Sequence, residues 1–349
     1  MLQDGTAPKQ PKALADIDIE MLTAAAVAAL EPDAHLQHFL NAGLRVDGRG
    51  FRSVRAMGVS HEPLAMSSLS RSGSAAVDAG AAAPPAADAA PAADGVAGSA
   101  LVSLGATRVL ASISLQVGVP DLAAPADGDV EVAVKFAPFS KQPAERATAL
   151  SETFRDLLLR GRVVSLPDLC IEERRCAWKL CVAVLVLNDD GGVFDAGLVA
   201  AVAALSGVSL PATMLDDEGV VKLVRGQPSA RLPLRTSLVP LTCGVAVQRS
   251  GGGGGGGGGS EVALLADLNS AEEGLVAAVI TVVSDGDGKI CGVFKPGGRA
   301  VAQTVVEECI ALCVERGGSL KLAAGLGADG PTAEGTAGSD SPAKKKRRK

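Results

Sequence analysis

Aromatic side chains are nearly absent: the 349 residues hold no tyrosine, one tryptophan at Trp178 and seven phenylalanines, 2% in all. Proteins that grip single-stranded bases stack them on such faces, so a stacking platform is hard to build here while contact through phosphates stays open. Histidine is as scarce, with only His35, His38 and His61. The first two stand three apart, a spacing that two ligands on one helix share, but no HExxH accompanies them and a solvent-facing helix explains them more simply. No apolar run reaches 18 residues. The best, Cys176 to Leu187, is broken by Lys179 and is too short to span a bilayer. Met1 to Lys12 is polar and has no signal-peptide core. The expectation is a soluble, intracellular protein without a membrane partner.

Several chemistries lack their residues. The seven cysteines are odd in number, form no CxxC pair and fall mostly inside apolar runs, which reads as reduced core thiols, Cys309 and Cys313 on one helical face included. Asp189, Asp190 and Asp195, or Asp285 and Asp287, offer hard oxygen ligands, but neither set has the twelve-residue loop with a closing glutamate, and Asp-Gly turns account for both. No GxxxxGK[ST] occurs, and the run Gly251 to Gly259 leads into no helix start. No cofactor and no metal are expected.

What is present is an Ala, Val and Leu-rich chain, 47% hydrophobic, long enough for two average domains or one large body with insertions. Its net charge is −6, yet six of the 33 basic residues form the final run Lys344 to Lys349. The body is therefore distinctly acidic, and any RNA contact should be a local basic rim. The final run fits a nuclear-import signal, with a solvated tail as the plainer reading. Two low-complexity stretches, Ser67 to Gly95 and Gly251 to Gly259, cannot bury enough apolar surface to offset ordering, and both are expected to be disordered.

Periodicity supplies the elements. Helical spacing runs from Ile17 to Leu40, through Ile19, Leu22, Val27 and Leu30 and then Leu36 and Leu40. Ser99 to Leu104 and Thr107 to Val117 read as a hairpin, Ala147 to Leu159 as a helix, and Cys176 to Leu187 as a long strand ended by Asn188-Asp189-Asp190-Gly191-Gly192. A helix then starts at Asp195 and carries Leu198, Val199, Val202 and Leu205. Strands are expected over Val220 to Val224, Leu241 to Gln248, Glu261 to Ala266, Val276 to Val283 and Lys289 to Phe294, and a helix over Val301 to Val314. Hairpins with few crossover helices make an α+β fold, one compact body.

Ordered motifs then carry a resemblance. Arg45-Val46-Asp47-Gly48-Arg49 is similar to the R-x-D-G-R opening of RNase PH-like domains, and Gly98 to Val109 resembles their G-S-A-L-V-x-L-G-x-T-x-V hairpin. Leu169-Cys170-Ile171, Ala177-Trp178, the long strand into Asp189-Asp190-Gly191, the segment Asp267 to Glu273 and the hairpin Gly288 to Gly298 follow in family order, from about Phe39 to Val314. Within that superfamily the pattern resembles the non-catalytic ring subunits of the eukaryotic RNA exosome. The resemblance implies an RNase PH-like domain over 39–320 with insertions at 67–94 and 250–260, a helical extension over 1–38 and a disordered basic tail over 321–349. It also implies a ring of RNase PH-like subunits bearing S1/KH cap proteins, with single-stranded RNA threaded to associated exoribonucleases, in nucleus, nucleolus and cytoplasm.

Phosphorolysis needs donors for an anion and a carboxylate beside them. Where active members of the family carry Gly-Thr-Arg or Gly-Ser-Arg, this chain reads Gly192-Val193-Phe194. Where they carry a second Asp, it has Val279, and in place of Ile-Gly-Arg it has Phe154-Arg155-Asp156. The resemblance therefore implies no catalytic residue. An active phosphate-dependent 3'-to-5' exoribonuclease with a rearranged site, or a free-standing RNA-binding module, are the other readings. Lys141, Arg146, Arg160 and Arg162, around a helix whose family counterpart faces the pore, are the candidate RNA contacts. Asp47 and Arg49 are expected to pair with each other and cap the first strand, with direct RNA contact as the other reading.

Overall fold

The computed structural model describes residues 26, 29–64, 95–138, 142–216, 221–224, 228–248, 261–285 and 287–323. Helix α1 (Pro32–Asn41) has proline in its first turn, where an amide hydrogen has no intrahelical acceptor, and buries Leu36 and Leu40 on one face. β1 (Met57–His61), β2 (Gly98–Leu104) and β3 (Thr107–Gly118) are antiparallel neighbours, with Gly105 at φ +59° in the β2–β3 turn. Thr107, Val109, Ala111, Ile113 and Leu115 of β3 all point inward, the period of two expected from the sequence.

β4 (Asp129–Phe136) leads through α2 (Ala144–Arg160) and a 3-10 turn (Leu166–Leu169) to β5 (Cys170–Glu172) and β6 (Cys176–Asn188). β6 lies antiparallel to β3 and parallel to β4, so the first sheet has the order β1-β2-β3-β6-β4, with β5 against the start of β6. Side chains of α2 reach over the edge strand β4: the Val134 amide donates to Ser151 Oγ at 2.8 Å and Arg155 Nε donates to Val130 O at 2.9 Å. Those groups are thereby withheld from pairing with another chain.

α3 (Val193–Ser206) buries every residue from Val193 to Leu205 except Phe194, and a helix apolar all round needs cover on all sides. It finds β2 and β3 on one side and β11 (Val239–Gln248) on the other. The chain reaches β11 through two small ribbons, β7 (Ser209–Leu210) with β10 (Ala230–Arg231) and β8 (Thr213–Leu215) with β9 (Val221–Leu223). β12 (Glu261–Ala266), the single turn α4 (Ser270–Glu273), β13 (Ala278–Ser284) and β14 (Ile290–Phe294) complete a second, antiparallel sheet of order β12-β11-β13-β14. α5 (Gln303–Ala323) packs on β13 and β11 with Cys309, Leu312 and Cys313 inward. The layers are sheet, helix, sheet, helix, the α+β architecture expected.

Some expectations need correction. The strand over Val220 to Val224 is only β9, a member of a small ribbon, and the helix expected from Asp195 begins two residues earlier. α5 continues to Ala323, nine residues beyond Val314. β1, β4 and β5 were not anticipated: β4 alternates Val with Asp, Glu and Lys on its outer face, and the other two are short. The insertions at 67–94 and 250–260, most of the helix over 17–30 and the tail from 324 onward lie outside the described residues. Among the described residues no helix is long and apolar enough to cross a membrane.

β2 comes close to α3, where a Cβ on Gly98 would stand 2.5 Å from the Ala204 carbonyl oxygen. Gly98→Ala is expected to destabilise the chain by about 1–3 kcal/mol through overpacking. Urea unfolding checks this, and an unchanged midpoint would mean that β2 shifts freely on α3.

Candidate functional site

The opening motif and the Asp267 segment hold each other. Arg45 is fully buried: Nε donates to Glu272 Oε1 at 2.9 Å, Nη2 meets Glu272 Oε2, and Nη1 and Nη2 donate to the carbonyls of Ala266 and Asp267 at 2.6 and 2.8 Å. Arg49 Nε pairs with Asp47 at 2.7 Å, the pairing expected, and Arg49 Nη1 reaches Asp267 at 2.9 Å. Partial burial works to raise the Asp47 carboxyl, but hydrogen bonds from the Arg49 amide and guanidinium outweigh it and hold it below the usual range.

Asp267 is the hub. Its carboxylate is fully buried and also accepts from the Arg55 amide at 2.7 Å, from Arg55 Nε at 2.9 Å and from Nη2 at 2.7 Å. The residue sits at φ +53°, a left-handed conformation rare outside glycine and held here by those donors. Burial works against the Arg55 charge, yet the hydrogen bonds and charge of Asp267, with Asp190, raise its pKa.

Arg55 carries the network to the turn before α3. Its Nη1 donates to Asp190 O at 2.8 Å, and Thr107 Oγ1 donates to Gly191 O at 2.6 Å while accepting from the Asp190 amide. Gly191 and Gly192 have φ of +77° and +69°, and a Cβ on Gly191 would collide with the Asn269 backbone at 2.5 Å. Asp189 and Asp190 are consumed in this packing: Asp189 accepts from Gln142 and the Gly191 amide and pairs with Arg146, and Asp190 accepts from Ser270. Asp285 likewise accepts from the amides of Asp287 and Lys289, so Asp189, Asp190 and Asp285 are turn residues as expected, whereas Asp195, grouped with the first two in the sequence, lies in α3.

At the start of α3, the Gly192 amide donates to Glu273 Oε1 at 2.7 Å. Burial raises the Glu273 carboxyl above the usual range, against the pull of that amide and of Arg146, whose Nη2 lies 3.4 Å away. Beside it Phe194 packs edge-on to Phe154 at 5.3 Å and tilted against Phe294 at 5.9 Å. One turn into the helix, Asp195 accepts from the Thr242 amide at 2.9 Å and from Thr242 Oγ1 at 2.7 Å. Complete burial pushes its pKa up to about 7, although the Thr242 hydrogen bonds act to lower it.

The four candidate RNA contacts do not converge. Arg146 faces inward onto Asp189, Glu273 and the Phe136 ring, 5.7 Å from its centroid. Arg160 is exposed at the end of α2 and pairs with Asp156 at 3.0 Å. Arg162 follows at φ +54°, and Lys141 lies outside the described residues. Arg155 bonds the β4 backbone, and Val279 is in register with Gly244 on β11, packed against the cluster under α1. His35 and His38 lie edge-on to Phe39, and all seven cysteines are free, Cys313 pushed to about 11 by burial. Among the described residues no three potential ligands gather around a metal position. Sequence reading missed Arg55 and Glu273; the one signal for Arg55 was its place as the fourth arginine of the opening segment, after Arg45, Arg49 and Arg52.

Comparisons with known proteins agree with this architecture. Models of the 3' exoribonuclease family match residues 86–211 as its domain 1 and 255–316 as its domain 2, together more than half of the chain. The chain is 26% identical to exosome complex component RRP45A of Arabidopsis thaliana over 227 residues, 63% of the chain and 71% of that protein. It is 23% identical to exosome complex component rrp43 of Schizosaccharomyces pombe over 288 residues, 80% of the chain and 90% of that protein. A solved archaeal exosome core superimposes with a TM-score of 0.63 over 88% of this chain and 99% of its own, at 21% identity.

Two variants probe the network. Arg45→Met strands a buried Glu272 carboxylate and is expected to cost about 3–5 kcal/mol, whereas adding Glu272→Leu should return part of that loss. Urea unfolding of the singles and the double gives the coupling, and strict additivity would sink it. The raised Asp195 pKa means that the folded state holds a proton the unfolded state releases between pH 4 and pH 7. Stability from this group is therefore present below pH 4 and lost as pH rises to 7, by on the order of 4 kcal/mol at most. Asp195→Asn should flatten this part of the stability profile, read by thermal melting across pH.

Proposed function

Since the chain belongs to the 3' exoribonuclease (RNase PH) family, we propose that it is a structural subunit of an RNA exosome core ring that helps thread RNA and breaks no bond itself. Phosphate attacking a terminal phosphodiester needs backbone or hydroxyl donors, a guanidinium and a free carboxylate in one place. The observation that carries the reading is that the donor end of α3 is already filled: the Gly192 amide is bonded to the chain's own Glu273, and Phe194, packed between Phe154 and Phe294, stands where active relatives offer an arginine. The nearby guanidinium groups are committed as well, Arg55 to Asp267 and Arg146 to Asp189 and Glu273. An incoming phosphate would also meet a cluster of carboxylates.

The relatives named above as exosome complex components support assembly in an exosome ring with other RNase PH-like subunits; S1/KH cap proteins and separate exoribonucleases are the further partners of this reading. Within the ring the proposed position is that of the rrp43-like subunit, on the ground of Leu169-Cys170-Ile171, Lys295-Pro296-Gly297-Gly298 and the helical stretch before Arg45, with the fission-yeast rrp43 among the relatives that match. RNA is met by sequence-independent phosphate contacts at a basic rim that includes the exposed Arg160 and Arg162, while Arg146, turned inward onto two carboxylates, is not part of it. The proposed setting is nucleus and nucleolus, where ribosomal RNA matures, and cytoplasm, with the basic tail available to import factors.

A tagged copy recovered from its own cells should appear in a complex containing one copy each of several different RNase PH-like and S1-domain chains, read by native mass. The purified chain should release no nucleoside diphosphate from single-stranded RNA and inorganic phosphate. A homohexamer with phosphate-dependent release abolished by Asp189→Asn or Asp190→Asn would replace this reading with an active phosphorolytic enzyme.

A further inference from the structure

An open cleft of about 310 Å³ lies between the end of β1 and the carbonyl end of α3, lined by His61, Glu62, Ser99, Ser206, Ser209 and Arg231 among others. It stands at the opposite end of α3 from Gly192 and Glu273 and shares no residue with the site described above.

Three observations at this cleft bear on an occupant. Glu62 has φ +54°, which a residue with a side chain rarely adopts, and it precedes Pro63, whose ring confines its predecessor to extended conformations. The conformation is held from both sides, because the Glu62 amide donates to Ser99 O at 2.7 Å and the Leu64 amide to Ser99 Oγ at 3.1 Å. Such strain in a polar cleft points toward function rather than packing.

Charge is the second observation. Arg231 donates through Nε and Nη2 to Ser206 O at 3.0 and 2.7 Å, so its positive charge answers the negative end of α3. The Glu62 carboxylate is exposed and has no ion-pair partner among the described residues. Among the described residues it is the one acidic group lining the cleft, and Arg231, its one guanidinium, is turned onto the Ser206 carbonyl.

The third observation is that β1 pairs with β2 alone among the described strands and so forms the edge of its sheet. α5 approaches the strand, and Val54 just ahead of it packs into the α5 cluster, whereas the cleft sits at the other end, beyond His61.

We propose that this cleft receives an arginine or lysine side chain from an extended segment of a partner protein laid along β1. Backbone groups of the edge give the segment its register, and the Glu62 carboxylate with the surrounding serine hydroxyls selects the cation. An RNA strand fits less well, because a phosphate would face the same carboxylate. The inference is independent of whether the chain is catalytic.

The probe is a fluorescein-labelled octapeptide of alternating threonine and valine with one central arginine, titrated with the full chain and read by anisotropy. Saturable binding is expected, weakened roughly tenfold or more by Glu62→Gln, abolished by Glu62→Lys, and lost when the arginine is replaced by glutamate or when alternate peptide amides are N-methylated. Glu62 is exposed, so both variants should keep the parent melting temperature. Absence of binding, equal binding by the parent and Glu62→Gln, or displacement of the peptide by a single-stranded oligonucleotide would overturn the proposal.

Discussion

The fold is tied by one buried carboxylate. Asp267 sits with no exposure to solvent and accepts hydrogen bonds from two arginines that arrive from the opening segment, more than two hundred residues earlier in the chain. Taking such a group out of water costs several kcal/mol unless donors surround it, and replacing a buried pair by apolar groups is often neutral for stability. Specificity is the more plausible return on the cost. Arg45, Arg49 and Arg55 can all be satisfied only when the loop from Leu44 to Ala56 lies over the end of β12, so the ion pairs fix how the first sheet meets the second. Arg55 then extends the same constraint to the carbonyls of Asp190 and Leu268, and with Thr107 on Gly191 it sets the turn that launches α3.

That turn also decides what the start of α3 can accept. A helix start exposes amides that need acceptors, and an anion is the natural one. Here Glu273 serves, reaching back from α4 to the Gly192 amide, and Arg146 stands beside its carboxylate. The capping box in which Asn269 and Glu272 exchange hydrogen bonds holds α4 in place for this, while Glu272 also binds Arg45. Phe194 then fills with apolar contact the volume beside the helix start. The site is thus an integral part of the folded core, and its donors are not waiting for a ligand.

Much of this was legible in the sequence because the periodic signals are strong. The β2–β3 hairpin, the long strand β6 and the buried helix α3 have apolar patterns that fit no other element, and Gly192-Val193-Phe194 shows in the sequence alone that no hydroxyl or guanidinium stands at the start of α3. What escaped was geometry carried by long-range pairing. Glu273 is one of two adjacent acids whose roles differ completely, one buried against Arg45 and the other capping α3, and nothing local separates them. Arg146 shows the same limit: beside the basic residues of α2 it looks like rim charge, but the fold turns it onto Phe136 and two carboxylates. β4 was missed because its Asp, Glu and Lys residues mask a regular alternation of buried valines.

Charge placement follows from the same economy. Asp189, Asp190, Asp267 and Glu273 crowd one region, and only the arginines packed among them make it tolerable; their combined field disfavours a polyanion at that spot. The positive residues left without a buried task sit elsewhere, Arg160 and Arg162 at the end of α2 among them. A phosphate approaching the start of α3 would therefore meet carboxylates first, and with no tyrosine and a single, buried tryptophan the chain has little aromatic surface on which to stack a base.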